Sequence, residues 1–224
     1  MSYGCFGLPI EAGNASDGII ARRLASVQPG DILLVYPTSL SPGQLVTHFY
    51  QNYRGYRYFD NLCTHACIIL DAHSAIDATP AAGVSVRAIP DVIDGRIYRV
   101  RRIARFTARQ RSEFVQAAQS KIGAGYDWLG LLGGASGLAN TASRIKIAID
   151  RIRGSQSANA QSEEETTADA LHSFYCSQLV EYCYTKVARK TFSDQKIAEI
   201  FAPGALSATT DLDDILLASI PSTS

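Results

Sequence analysis

Three residues far apart in the chain are of the types needed for a nucleophile, a base and an orienting carboxylate: Cys176, His65 and Asp77. Cys176 lies in the run SFYCSQLVEYCYTK, residues 173–186, and Leu179, Val180, Cys183 and Val187 follow it at spacings of 3, 4, 7 and 11. Those spacings mark one face of a helix. With Ser173 as the N-cap, Cys176 falls at the third helical position, close to the N–H groups and positive dipole end that favour negative charge on sulfur. A thiolate placed there is a nucleophile, and the same N–H groups can hold a developing oxyanion. The alternative for a cysteine on an apolar helix face is a small buried hydrophobe.

His65 begins the run HACIIL and Asp77 sits in AIDAT, two segments that read as strands joined by Asp71-Ala72-His73 as a hairpin loop. That register sets Cys67 opposite Asp77 and His65 diagonal to it, about 7–8 Å away at the backbone and within side-chain reach. His65 would take the thiol proton and give it to a leaving amine, with Asp77 fixing the ring tautomer. An ordinary strand histidine and an ordinary polar residue near a turn are the alternatives for these two. His48 also follows a threonine, but it falls within an expected helix among aromatics. Cys63, His65 and Cys67 alternate, so a zinc site completed by Cys176 is a rival reading, although structural zinc prefers loop knuckles of the C-x₂₋₄-C kind. Gly133-Gly134 lacks the following lysine of a phosphate loop.

Several elements must position these residues. Ile32 to Tyr36 is an apolar strand ended by Pro37, and Ser41-Pro42 opens a helix to about Asn52. Strands follow at 65–70, 75–79, 84–88 and 96–103, the last with at least one solvated side. Thr107 caps a helix to about Ile122, which buries Phe114, Val115, Ala118 and Ile122 and stops at Gly123. Helices are also expected at 16–26, 141–153, 194–201 and 211–219, while 154–170 carry no hydrophobic pattern.

The chain has 224 residues, 46% of them hydrophobic, enough for one sizeable core. Its 21 basic and 21 acidic residues balance, so no global field draws it to nucleic acid. No apolar run reaches the roughly 18 residues of a membrane-spanning helix. The N-terminal MSYGCFGLPIEAG has neither a basic region nor an apolar one and does not read as a secretion signal. Five cysteines, an odd number, suit synthesis in a reducing compartment.

GDILLVY, THACIIL, AIDAT, YDW and FYCSQLVEYCY, spread over residues 29 to 190, resemble the permuted branch of the NlpC/P60 papain-like superfamily. The usual NlpC/P60 order puts the cysteine helix first; here the order is His65, Asp77, Cys176, as in permuted members. The resemblance implies an α+β, circularly permuted papain-like fold with an antiparallel sheet packed on the cysteine helix. Residues 1–224 would form one such domain, with a mobile insertion at 133–171. It implies Cys176 as nucleophile, His65 as base, Asp77 as orienter in place of the commoner glutamate, and Tyr126 as a residue polarising the scissile carbonyl. The stretch between Tyr126 and Tyr175 is longer than the family's usual link.

The implied activity is hydrolysis of an amide bond, with peptidoglycan peptide as substrate and no cofactor or metal. Small signal-less members of the superfamily serve as antibacterial effectors of contact-dependent secretion systems. That habit implies synthesis in the cytoplasm, a carrier in the secretion apparatus, delivery to a rival's periplasm, an immunity protein and a monomer. The alternatives are an acyl or lipid amide hydrolase, whose chain channel the LGLLGG segment at 129–134 would line, and a non-catalytic, zinc-stabilised binding module.

Overall fold

The computed structural model describes residues 26–37, 42–53, 55–56, 58–127, 173–190, 192 and 202–219. Its centre is a six-stranded sheet. The strands are β1 (Ile32–Tyr36), β2 (His65–Ile69), β3 (Ser74–Thr79), β4 (Gly83–Ala88), β5 (Ile97–Ile103) and β8 (Leu212–Ser219), in the spatial order β4-β3-β2-β1-β5-β8. Every neighbouring pair is antiparallel. Two short strands, β6 (Gly125–Tyr126) and β7 (Ser173–Phe174), form a separate parallel pair. The helices are α1 (Pro42–Tyr53), α2 (Tyr58–Asn61), α3 (Ile89–Ile93), α4 (Ala108–Gln119), α5 (Cys176–Ala188) and α6 (Pro203–Ala208). The molecule is therefore α+β with an antiparallel sheet. No described helix is long and apolar enough to cross a membrane.

Both sheet faces are covered, which is why β1 reads as a continuous apolar run rather than an alternating one. Ile32, Leu34, Ala66, Ile68 and Ile76 face a core completed by α4 and α5 through Phe114, Ala118, Leu179, Val180 and Cys183. Leu33, Val35, Cys67, Ile69 and Ala75 face a second core closed by α3 through Ile89, Val92 and Ile93. Residues 211–219, expected as a helix, instead form β8, which pairs along the whole of β5 with a register shift between Val100 and Arg101. A free strand edge on β5 is satisfied this way, and nine residues of mixed pattern carry too weak a helical period to resist.

Nor is β5 solvated as expected. Arg101 is 5% exposed because it donates to the carbonyls of Leu206 (2.8 Å) and Ser207 (2.9 Å) in α6. Arg99 is held by Asp214 of β8 at 2.6 Å. α4 keeps its Thr107 cap, with Gln110 N donating to the threonine hydroxyl (3.2 Å), but ends at Gln119, and Ile122 lies 46% exposed rather than buried. The sequence's Ser16–Ser26, 129–134, 133–171, 141–153 and 194–201 segments fall wholly or almost wholly outside the described residues.

Candidate active site

His65 and Asp77, the expected base and orienter, are placed by the β2–β3 hairpin. Asp71 at the turn accepts from the N–H groups of His73 and Ser74, each at 2.8 Å, which fixes the loop. Pairing of Ile68 with Ile76 and of Ile69 with Ala75 sets the register, and one further step along it puts Cys67 opposite Asp77. His65 Nε2 then lies 2.7 Å from Asp77 Oδ1. Asp77 is fully buried, and Arg87 Nη1 holds its other oxygen, Oδ2, at 3.1 Å. Oδ1 accepts no aligned hydrogen bond, so its approach to the ring is a charge contact that a small rotation would turn into a bond.

These contacts set the charge states. Burial opposes ionisation of Asp77, yet His65, followed by Arg87, keeps its carboxyl below the ordinary aspartate value. Burial likewise works against protonated His65. The opposing charge of Asp77 outweighs it, and the imidazole stays well above the usual histidine range. The side chain of His65 is 19% exposed.

Cys176, the expected nucleophile, arrives from a different direction. Gly123 N donates to Val84 O and Val84 N donates to Ala124 O, both at 2.8 Å, which binds the chain after α4 to the start of β4. Gly83 makes this possible. Its φ is +62°, and a Cβ there would stand 2.2 Å from the carbonyl oxygen of Ala124. Directly after, Gly125 and Tyr126 pair with Ser173 and Phe174, and two residues beyond Phe174 the chain enters α5 at Cys176. Ser173 is thus in a strand and is not the cap. Tyr175 is the N-cap, in extended conformation, and Cys176 is the first helical residue rather than the third. The shift brings the thiol closer to the unpaired N–H groups of the first turn.

α5 packs on the face that carries Ala66 and Ile68, whereas strand alternation gives His65 and Cys67 the other face. The thiol therefore does not lie across the sheet from the imidazole. The β6–β7 pair delivers it to the sheet end where β2 begins and β3 finishes. Cys176 is 6% exposed there and acts electrostatically on His65 and on Tyr126. Burial first, then the charge of Cys176, raises the phenol of Tyr126, so that it remains a protonated donor.

The structure thus pairs His65 with Asp77 and puts Tyr126 and the Cys176 helix start within electrostatic range of His65. It does not bring in His48, whose Nδ1 lies 3.2 Å from the carbonyl oxygen of Asn61 on α1's inner side. The rival zinc set also divides. Cys63 precedes β2 and packs in the helix-side core, whereas Cys67 lies in the core beneath α3. Burial pushes both thiols up to about 12. Arg87 is the site residue that the sequence did not announce. It pairs across from Ala75, diagonal to Asp77, and a basic residue of matching parity on the third strand was its only signal. No protein-family model matches the chain, and no curated protein sequence matches it.

Proposed function

We propose that this chain is a cysteine hydrolase of amide bonds with a permuted NlpC/P60-like, papain-like architecture. Its substrate is the peptide of peptidoglycan, and its setting is that of an antibacterial effector delivered by a contact-dependent secretion system. The observation that carries the chemistry is the 2.7 Å His65–Asp77 contact beside the first residue of a 13-residue helix that begins with cysteine. Asp77 engages Nε2, leaving Nδ1 as the ring atom that serves the thiol.

Cys176 Sγ gives its proton to His65 Nδ1 and attacks the scissile carbonyl carbon, and the electron pair of the C=O moves to oxygen. The resulting oxyanion is met by the first-turn N–H groups of α5 and by the Tyr126 hydroxyl. His65 gives its proton to the leaving nitrogen as the C–N bond breaks. A water molecule, deprotonated by His65, then opens the thioester and frees Cys176. Arg87 keeps Asp77 ionised throughout, and Asp77 keeps the ring oriented.

A lipid amide is the second reading, favoured by one feature of α1. Leu45, Phe49 and Tyr53 recur every fourth residue and are 38%, 66% and 88% exposed. Gln51 of the same helix donates to the carbonyls of Asn61 (2.8 Å) and Cys63 (2.9 Å), two residues ahead of His65. The deciding experiment is incubation with purified peptidoglycan and, separately, with acyl amides in micelles, followed by mass analysis. Release of murein peptide fragments by the wild-type chain and not by Cys176→Ala supports the proposal. Cleavage of the acyl amide alone replaces it with the lipid reading, and no Cys176-dependent cleavage of either substrate sinks both.

A further inference from the structure

We propose that the buried donors His65, Cys67 and Asp77 form an inhibitory binding site for a zinc-like divalent cation. The three residues present an imidazole nitrogen, a thiol and a carboxylate oxygen, all within 4.8 Å of one another. Nitrogen, sulfur and one oxygen from three side chains make a donor set suited to a borderline-soft cation such as zinc, with a fourth position left open. To hold a tetrahedral ion with ligand bonds of about 2.0–2.3 Å, the 2.7 Å His65–Asp77 contact must open by roughly 0.6 Å while Cys67, within 4.8 Å of both, closes by up to about 1 Å.

A second feature points the same way. Asp77 Oδ1 is buried and meets the His65 ring at 2.7 Å without an aligned hydrogen bond, so it keeps a lone pair that a cation between the two side chains would use. Arg87 occupies the other oxygen, so a cation on Oδ1 leaves that ion pair intact. Cys67 has no part in the proposed catalytic sequence, yet its sulfur is the donor that turns a base and its orienter into a chelate. This set also differs from the alternating one in the sequence, because it exchanges Cys63 for the carboxylate of the next strand.

Binding displaces protons from Cys67 and from His65 Nε2 to solvent and forms bonds from their sulfur and nitrogen to the cation. The metal-bound ring then turns away from its role as proton carrier, so the cation inhibits. That consequence rests on the amide hydrolase reading; the metal site itself does not.

The test uses full-length protein stripped with EDTA and titrated with cobalt(II), whose thiolate complexes absorb in the near ultraviolet. The sulfur-to-cobalt band is expected in the wild type and in Cys176→Ala, and it is expected to vanish in Cys67→Ser and Cys67→Ala. In hydrolysis assays zinc should inhibit the wild type and EDTA should restore it. Cys67→Ala should keep its basal rate while requiring at least about ten-fold more zinc for the same inhibition. Absence of a band in the wild type overturns the site. So does a band that survives Cys67→Ala and disappears in Cys176→Ala, because the metal then sits on the nucleophile. A Cys67-dependent band in a chain without hydrolytic activity upholds the site and refutes the catalytic reading. Hydrolysis without any band does the reverse.

Discussion

The four described cysteines differ in surroundings more than in exposure. Cys63, Cys67 and Cys183 are at most 1% exposed in apolar cores, and burial raises each of their thiols, the first two up to about 12. Cys176 stands at a helix N-terminus within electrostatic range of the His65 imidazole. Iodoacetamide at about pH 6.5 should therefore modify Cys176 at least ~10-fold faster than those three, as peptide mass mapping would show. Equal labelling would remove Cys176 as nucleophile. For the base, His65→Ala should cost about as much activity as Cys176→Ala, because the two act as a unit. Asp77→Asn should be milder than Asp77→Ala, since an amide oxygen keeps a polar partner against the ring.

The same pair makes stability depend on pH. His65 is raised in the folded state, so its contribution is complete below the ordinary histidine value and fades as pH climbs through the raised one. Asp77 is lowered, so its contribution is complete above the ordinary aspartate value and fades as pH falls through the lowered one. Between about pH 4 and 6.5 both are in full force. Asp77→Asn should cost about 3 kcal/mol in urea unfolding near pH 5.5, the scale of a broken buried ion pair. The difference should shrink in alkaline solution to the part held by Arg87. A penalty that grows with pH would contradict a protonated His65 facing an ionised Asp77.

At the scale of elements, the thiol depends on the seam between β4 and the β6–β7 pair rather than on α5 alone. Gly83 is where that seam is closest. Alanine there must hold a positive φ and push its Cβ into a backbone carbonyl that cannot yield without breaking the Val84–Ala124 bond. Gly83→Ala should lower stability by about 2 kcal/mol or more, combining left-handed strain with the lost contact. It should also reduce turnover in the fraction that remains folded, because Tyr126 and Cys176 are both carried by the displaced strands. Calorimetry together with an activity measurement at a temperature well below the transition checks both parts. An unchanged melting temperature would mean that the seam has room to yield and does not hold the thiol in place.

For the whole molecule, 21 positive and 21 negative charges balance, so no net charge steers the proposed substrate from a distance. If the substrate is murein, the protein should be toxic only where murein is reachable. Production in a bacterial cytoplasm should leave growth unchanged. The same chain behind a periplasmic signal peptide should cause rounding and lysis, and Cys176→Ala or His65→Ala should suppress it. Lysis that survives Cys176→Ala would exclude the enzymatic explanation. Cysteine-dependent toxicity from the cytoplasm would shift the substrate to a lipid or cytosolic amide.

Local pattern carried the β2–β3 hairpin, the Thr107 cap of α4 and the helical stripe from Cys176 to Cys183, because each depends on residues within one or two turns or strands of each other. The diagonal placement of His65 and Asp77 followed from the hairpin register alone. Three things lay beyond local pattern. Residues 212–219 became a strand because β5 had an open edge, which is a property of the sheet and not of those residues. Ser173 gave up its capping role because Phe174 found a partner in Tyr126, 48 positions earlier in the chain. Arg87 joined the site because the β3–β4 pairing fixed its face. Spacing along the chain determines which side chains share a face, but contacts between distant segments decide which faces meet.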